Sequence, residues 1–141
     1  RKVTNPETVL AMQNLAREVP VVPSVKQFAL AIVRASRPGA DPNGMGPSAD
    51  IRLGASPRAA QAILMGAKVL ALARGRTHVS QADVVELAPS ALSHRLMVDF
   101  RALAQGRDAR FLIEQILQQA RRRAVPEVSV WTRAVLKFAS E

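Results

Sequence analysis

Among the charged residues of this 141-residue chain, Arg58 stands where its charge is locally unwelcome. Ala55-Ser56-Pro57-Arg58 reads as a helix start, with serine at the capping position and proline at the first helical one. An arginine in that first turn meets the positive end of the aligned peptide dipoles, at a cost of a few tenths to about 1 kcal/mol. Two readings resolve the conflict. Either the side chain bends away into solvent, or an anion docks at the helix end, where amides and the planar guanidinium fork together hold phosphate. On the residues alone the solvated side chain is the weightier reading.

Other chemistries find little support. A phosphate-cradling loop needs GxxxxGK followed by Ser or Thr, and none of the seven glycines begins that pattern. No apolar strand ends in paired acids that could hold magnesium. His78 and His94 are the only histidines, and neither falls in HExxH or a Ser/His/Asp setting. With no cysteine, thiolate zinc sites, cysteine nucleophiles and disulfides are excluded, and with no histidine motif either, neither a metal ligand nor a catalytic group is expected in this chain. Arg74, Arg76, His94 and Arg95 suit salt bridges between helices, or to an adjoining domain, at least as well as a ligand. Arg121-Arg122-Arg123 complements a helix C-terminus as a solvated run.

The elements that must position Arg58 read as helices. Asn5-Pro6-Glu7 starts one that runs to about Glu18. Val19 to Pro23 is an extended joint, and Ser24 with Gln27 makes a capping box for a second helix ending near Ser36. From Arg37 to Leu53, three glycines and three prolines mark a long irregular loop. The third helix, starting at Ser56-Pro57, buries Ala60, Ile63, Leu64, Ala67, Leu70 and Ala71 and stops at Gly75. Thr77 to Val79 is extended, Ser80 and Asp83 cap a helix that Pro89 ends, and Ser90 caps a further turn or helix through ALSHRLMV. Asp108 opens a helix to about Arg123, with Phe111, Ile113, Ile116, Leu117 and Ala120 on or near its apolar side.

Composition agrees. Hydrophobic residues make up 48% but aromatics only 4%, so Ala, Leu, Val and Ile build the core, which favours close helix packing. The expected fold is all-α: a small bundle of about five to six helices, with the Gly/Pro-rich loop between the second and third. Residues 1–126 form one domain and 127–141 an extension, with Val130, Trp131, Val135 and Phe138 on a possible short helix packed on it. No apolar run reaches the roughly 18 residues of a membrane span, and no signal peptide is legible, so a cytoplasmic protein is expected. The net charge of +9 keeps anionic partners open.

Residues 53–98, LGASPRAAQAILMGAKVLALARGRTHVSQADVVELAPSALSHRLMV, resemble the lid segment of MoxR-type AAA+ ATPases. The family blocks recur in order: GASPRA, a Gly-Arg pair before an aromatic and a valine, a capped Asp-Val helix, and Leu-x-His-Arg. VPVVPSVKQFALAIVRASR and RDARFLIEQILQQ resemble the flanking helices, so the likeness covers about Thr4 to Pro126. His78 stands where an aromatic such as Tyr is common, and the Arg37–Leu53 loop is longer than usual.

The resemblance implies a lid that senses ATP or ADP, with magnesium, bound to a core outside this chain. It implies that Arg58 is the second sensor, reaching the nucleotide phosphates, and that Gly54, Ala55, Ser56 and Pro57 shape the turn that aims it. It also implies partners: the ATPase core of the same polypeptide, neighbouring subunits of a hexameric ring, and proteins with von Willebrand factor A domains. Coupled to hydrolysis, such a lid serves chaperone-like remodelling. Two other functions stay open: a basic helical module that binds nucleic acid, thinly supported because no recognition helix or stacking aromatics stand out, and a protein adaptor that has lost nucleotide coupling.

Overall fold

The computed structural model describes residues 3–41, 44 and 46–123. Among them are six helices and one minimal sheet: α1 (Pro6–Glu18), α2 (Pro23–Ala35), a 3-10 turn (Pro47–Asp50), β1 (Ile51–Leu53), α3 (Pro57–Ala73), α4 (Gln81–Leu92), β2 (Met97–Val98), α5 (Phe100–Ala104) and α6 (Ala109–Arg123). The all-helical expectation holds. The proposed helix after Pro126 lies outside the described residues.

The core sits around α3, which packs on α1, α2 and α4, while α6 closes the other side against α2 and α4. Small side chains let these helices approach. Ala29, Ala59, Ala67, Ala71 and Ala88 are fully buried beside Ile32, Ile63 and Ile116. Along α3 the inward stripe is Ala59, Ala60, Ile63, Ala67 and Ala71, with Leu64 and Leu70 only half-buried. On α6, Leu112 faces inward and Phe111 is exposed, because the helix presents residues 112, 113, 116, 117 and 120 to its neighbours.

Several local expectations are corrected. Helix α2 starts at Pro23, capped by the Val22 backbone with no side-chain bond, so Ser24 and Gln27 form no capping box. The preset φ of proline suits a first helical position, and the residue before proline is pushed to extended geometry, as Val22 shows. The Arg37–Leu53 stretch is not wholly irregular: its end forms the 3-10 turn and β1, which pairs antiparallel with β2 through Ile51↔Val98 and Leu53↔Met97. Burial of Ile51 drives that pairing.

Pro89 does not end α4. The helix continues to Leu92, and the Ser93 amide donates to the Pro89 carbonyl at 3.0 Å. Proline forfeits one ladder bond, but Ala88 and Leu92 are fully buried on either side, and that burial holds the last turn. Ser90 therefore caps nothing. The segment after it turns into β2 and then α5, a short helix capped by the Asp99 carboxylate and absent from the sequence reading.

Asp83 organises the α3–α4 corner. Gly75 takes φ +69° just after α3, and Ser80 and Asp83 form the expected capping box. Asp83 is fully buried, and its carboxylate accepts from both terminal guanidinium nitrogens of Arg76 at 2.7 and 2.6 Å, from the Ser80 amide at 2.8 Å and from the Ser80 hydroxyl at 2.7 Å. Arg74 stands 3.6 Å from the same carboxylate and 2.7 Å from Glu86. The Arg76 hydrogen bonds, helped by those from Ser80, outweigh burial and hold the Asp83 carboxyl far below the ordinary carboxylate range. The Arg76 guanidinium is correspondingly raised, chiefly by its hydrogen bonds to Asp83.

A carboxyl whose folded value lies below its unfolded one stabilises the fold at neutral pH and loses that contribution on acidification. Melting temperature should thus be level above about pH 5 and fall as pH drops through the carboxylate range. In Asp83→Ala this slope should flatten, with about 2–3 kcal/mol lost at pH 7 from the cap and the charge-assisted bonds. Thermal melts of both proteins between pH 3 and 7 measure this, and an unchanged slope would contradict it.

Candidate functional site

The turn ahead of α3 is held from below by the end of α2. Ser36, the fully buried C-cap of α2, donates its hydroxyl to the Val33 carbonyl at 2.7 Å and accepts the Ala55 amide at 3.1 Å. Gly54 lies so close that a Cβ there would stand 2.7 Å from Arg37 Cα and 2.8 Å from the Ser36 carbonyl carbon. Only glycine permits this approach of backbone to backbone. Ala55 is buried behind it.

From this anchored turn, Ser56 acts as the N-cap of α3 and Pro57 as its first residue. The Ser56 hydroxyl makes no capping bond, contrary to the reading of the sequence; the backbone closes the turn instead, through the Ala59 amide to the Ser56 carbonyl at 2.8 Å. No acidic residue occupies the first turn. Arg58 is exposed there and makes no hydrogen bond or ion pair with another described residue. The positive helix end and the guanidinium thus stand together with no carboxylate of the described residues to neutralise them.

On the other flank, the Leu53↔Met97 pairing brings the chain after α4 beside the turn. A groove of about 460 Å³ results, lined by Leu53, Ser56, His94, Arg95, Leu96 and Met97. The Arg95 Nε donates to His94 Nε2 at 3.0 Å. The groove thus brings Ser56, at the end of the Gly54–Pro57 turn, beside His94 and Arg95, and Arg58 follows two residues on in the exposed first turn of α3. The structure sets Arg74 and Arg76 apart, committed to Asp83 and Glu86, and leaves His78 exposed on the link between α3 and α4. Among the described residues no group of three or more His, Cys, Asp or Glu could hold a metal ion.

Ser36 escaped the sequence reading. Its partner Ala55 lies 19 positions away, and no local pattern announces so distant a hydrogen bond.

Residues 47–116 match the AAA lid domain family. Over 79 residues the chain is 40% identical to Chaperone MoxR1 of Mycobacterium tuberculosis, covering 56% of this chain and 20% of that protein. Over 111 residues it is 30% identical to the uncharacterised protein YeaC of Bacillus subtilis, covering 79% of this chain and 32% of that one. A Cytophaga hutchinsonii protein assigned as an ATPase, known from a 2.00 Å crystal structure, superposes with a TM-score of 0.76 at 30% identity, over 84% of this chain and 36% of that one. The chain thus spans about a fifth to a third of the length of the curated relatives it matches.

Two substitutions test the anchor. Ser36→Ala leaves the buried Ala55 amide without its acceptor and should cost about 1–3 kcal/mol. Gly54→Ala should be at least as harmful, because its methyl meets backbone atoms that cannot rotate away. Denaturant unfolding of each variant decides, and stability equal to the parent would refute the anchor.

Proposed function

Because the chain is a lid domain of the MoxR-type AAA+ ATPases, we propose that Arg58 reads the phosphates of a nucleotide bound to the ATPase core of the same polypeptide. The observation that carries this reading is the state of Arg58 itself: exposed, without an acidic partner among the described residues, and projecting from a turn fixed by Ser36 and Gly54. A planar guanidinium meets two phosphate oxygens at once, which lysine cannot do. The turn from Gly54 to Pro57 determines where that fork is held.

The residues suit phosphate better than metal. ATP would meet the lid through its terminal phosphate charge, while magnesium would be held by residues other than those described. In this reading the lid shifts with the nucleotide state of the core, and the motion serves chaperone-like remodelling of partner proteins. Neighbouring subunits of a hexameric ring and proteins with von Willebrand factor A domains are the proposed contacts. No helix among the described residues is long and apolar enough to cross a membrane.

In the full-length protein, Arg58→Ala should lower ATP turnover at least tenfold, about 1.4 kcal/mol of lost stabilisation, while the lid keeps its melting temperature. Arg58→Lys should recover little of the loss. Steady-state hydrolysis and nucleotide titration provide the measurement, and wild-type kinetics with wild-type affinity would defeat the assignment.

A further inference from the structure

Among the described residues three arginines are partly buried: Arg76, Arg95 and Arg107. Arg76 meets Asp83 at 2.6 Å and Arg107 meets Asp50 at 2.6 Å. Arg95 meets no carboxylate of the described residues; its side-chain bond is the one its Nε donates to His94 Nε2. A partly buried guanidinium with no carboxylate partner keeps its fork open to an anion from outside the described residues. The fold supplies a carboxylate for the other two and leaves Arg95 on the wall of a groove.

The groove bears on what supplies that anion. Its walls include Ser56, the residue that starts α3, so Arg95 borders the turn from which Arg58 projects. The Ser56 hydroxyl is unused as a cap and is free to donate to a ligand oxygen. Leu53, Leu96 and Met97 complete the wall with apolar side chains. His94 engages the Nε edge of the guanidinium, leaving both terminal nitrogens for a fork-like contact. Accepting that bond requires His94 Nε2 to carry no proton, which places the neutral ring's hydrogen on Nδ1.

We propose that Arg95 is a second phosphate-contacting residue, held by His94 and acting beside Arg58 on the phosphate chain of the same bound nucleotide. The proposal rests on the lid reading of Arg58 and extends it from one cation to two. Arg95 touches the ligand; His94 is a positioning residue that fixes the guanidinium edge. An acidic side chain from an adjoining domain is the competing occupant. The shared wall with the α3 turn favours phosphate, because Ser56 on that wall lies two residues before Arg58.

The test uses the full-length protein and fluorescent derivatives of ATP, ADP and AMP as probes. Arg95→Ala should weaken ATP and ADP binding at least tenfold and AMP binding less, and Arg95→Lys should restore part of the loss by retaining the charge. His94→Ala should weaken ATP binding severalfold with Arg95 intact. Circular dichroism melts report folding, and Arg95→Lys serves as the reading variant if Arg95→Ala unfolds. ATP and ADP affinities within twofold of wild type in both Arg95 variants would overturn the proposal. A lowered melting temperature with unchanged affinities would overturn it too, assigning Arg95 to a protein carboxylate. If Arg58→Ala weakens nucleotide response and the Arg95 variants do not, this inference fails and the Arg58 reading stands. If the Arg95 variants are impaired and Arg58→Ala is not, the Arg58 assignment fails while the Arg95 contact is upheld.

Discussion

One buried hydroxyl joins the two halves of this domain. Ser36 stands at the end of α2, bonded to Val33 within its own helix and to Ala55 across 19 residues of sequence. Without it, the buried Ala55 amide would lose its acceptor and the turn before α3 its tie to the end of α2. With it, the turn before α3 lies against backbone, and Gly54 makes that contact intimate enough to exclude any side chain. The direction of the first turn of α3, and so the position of its exposed arginine, follows from this one joint.

Charge in the domain is divided by depth. Where the fold buries a carboxylate, it surrounds it with donors, as Asp83 is by Arg76 and the Ser80 backbone and hydroxyl. Among the described residues no buried side-chain polar atom lacks a partner. The exposed pairs, such as Arg110 with Glu114, contribute little to stability. Among the partly buried arginines of the described residues, Arg76 and Arg107 meet carboxylates and Arg95, beside the α3 start, does not. A solvated arginine is ordinary anywhere on a surface.

Much of the helical order was legible in the sequence because it rests on local physics. Proline at the first turn, serine with aspartate three residues on, and glycine after the last turn each act within a few positions, and α1, α3, the start of α4 and α6 appear where those signals stand. The misreadings share another origin. Pro89 reads as a stop because its missing amide is a local fact, while the burial of Leu92 that overrides it is tertiary. Ile51–Leu53 reads as loop because three residues carry no periodicity, and its partner β2 lies more than forty positions on. The candidate site divides in the same way. Gly54 to Arg58 could be named from their order, but neither Ser36 beneath them nor the groove shared by Ser56 and Arg95 has a sequence signature.

The Gly/Pro-rich loop is fastened at both ends. Ser36 and Gly54 clasp one another across it; at its far end the Asp50 carbonyl accepts the Asp99 amide at 2.8 Å, and the Asp50 carboxylate holds Arg107. Between those fastenings, Gly39 and Gly44 have open space around them. Lengthening a closed loop adds closure entropy only logarithmically, so residues can be gained or lost there at small cost. The fold can therefore absorb growth in this stretch. Changes of length around Gly39 and Gly44 can accumulate as evolutionary slack, spent before the chain reaches the Ser36–Gly54 clasp that sets the start of α3.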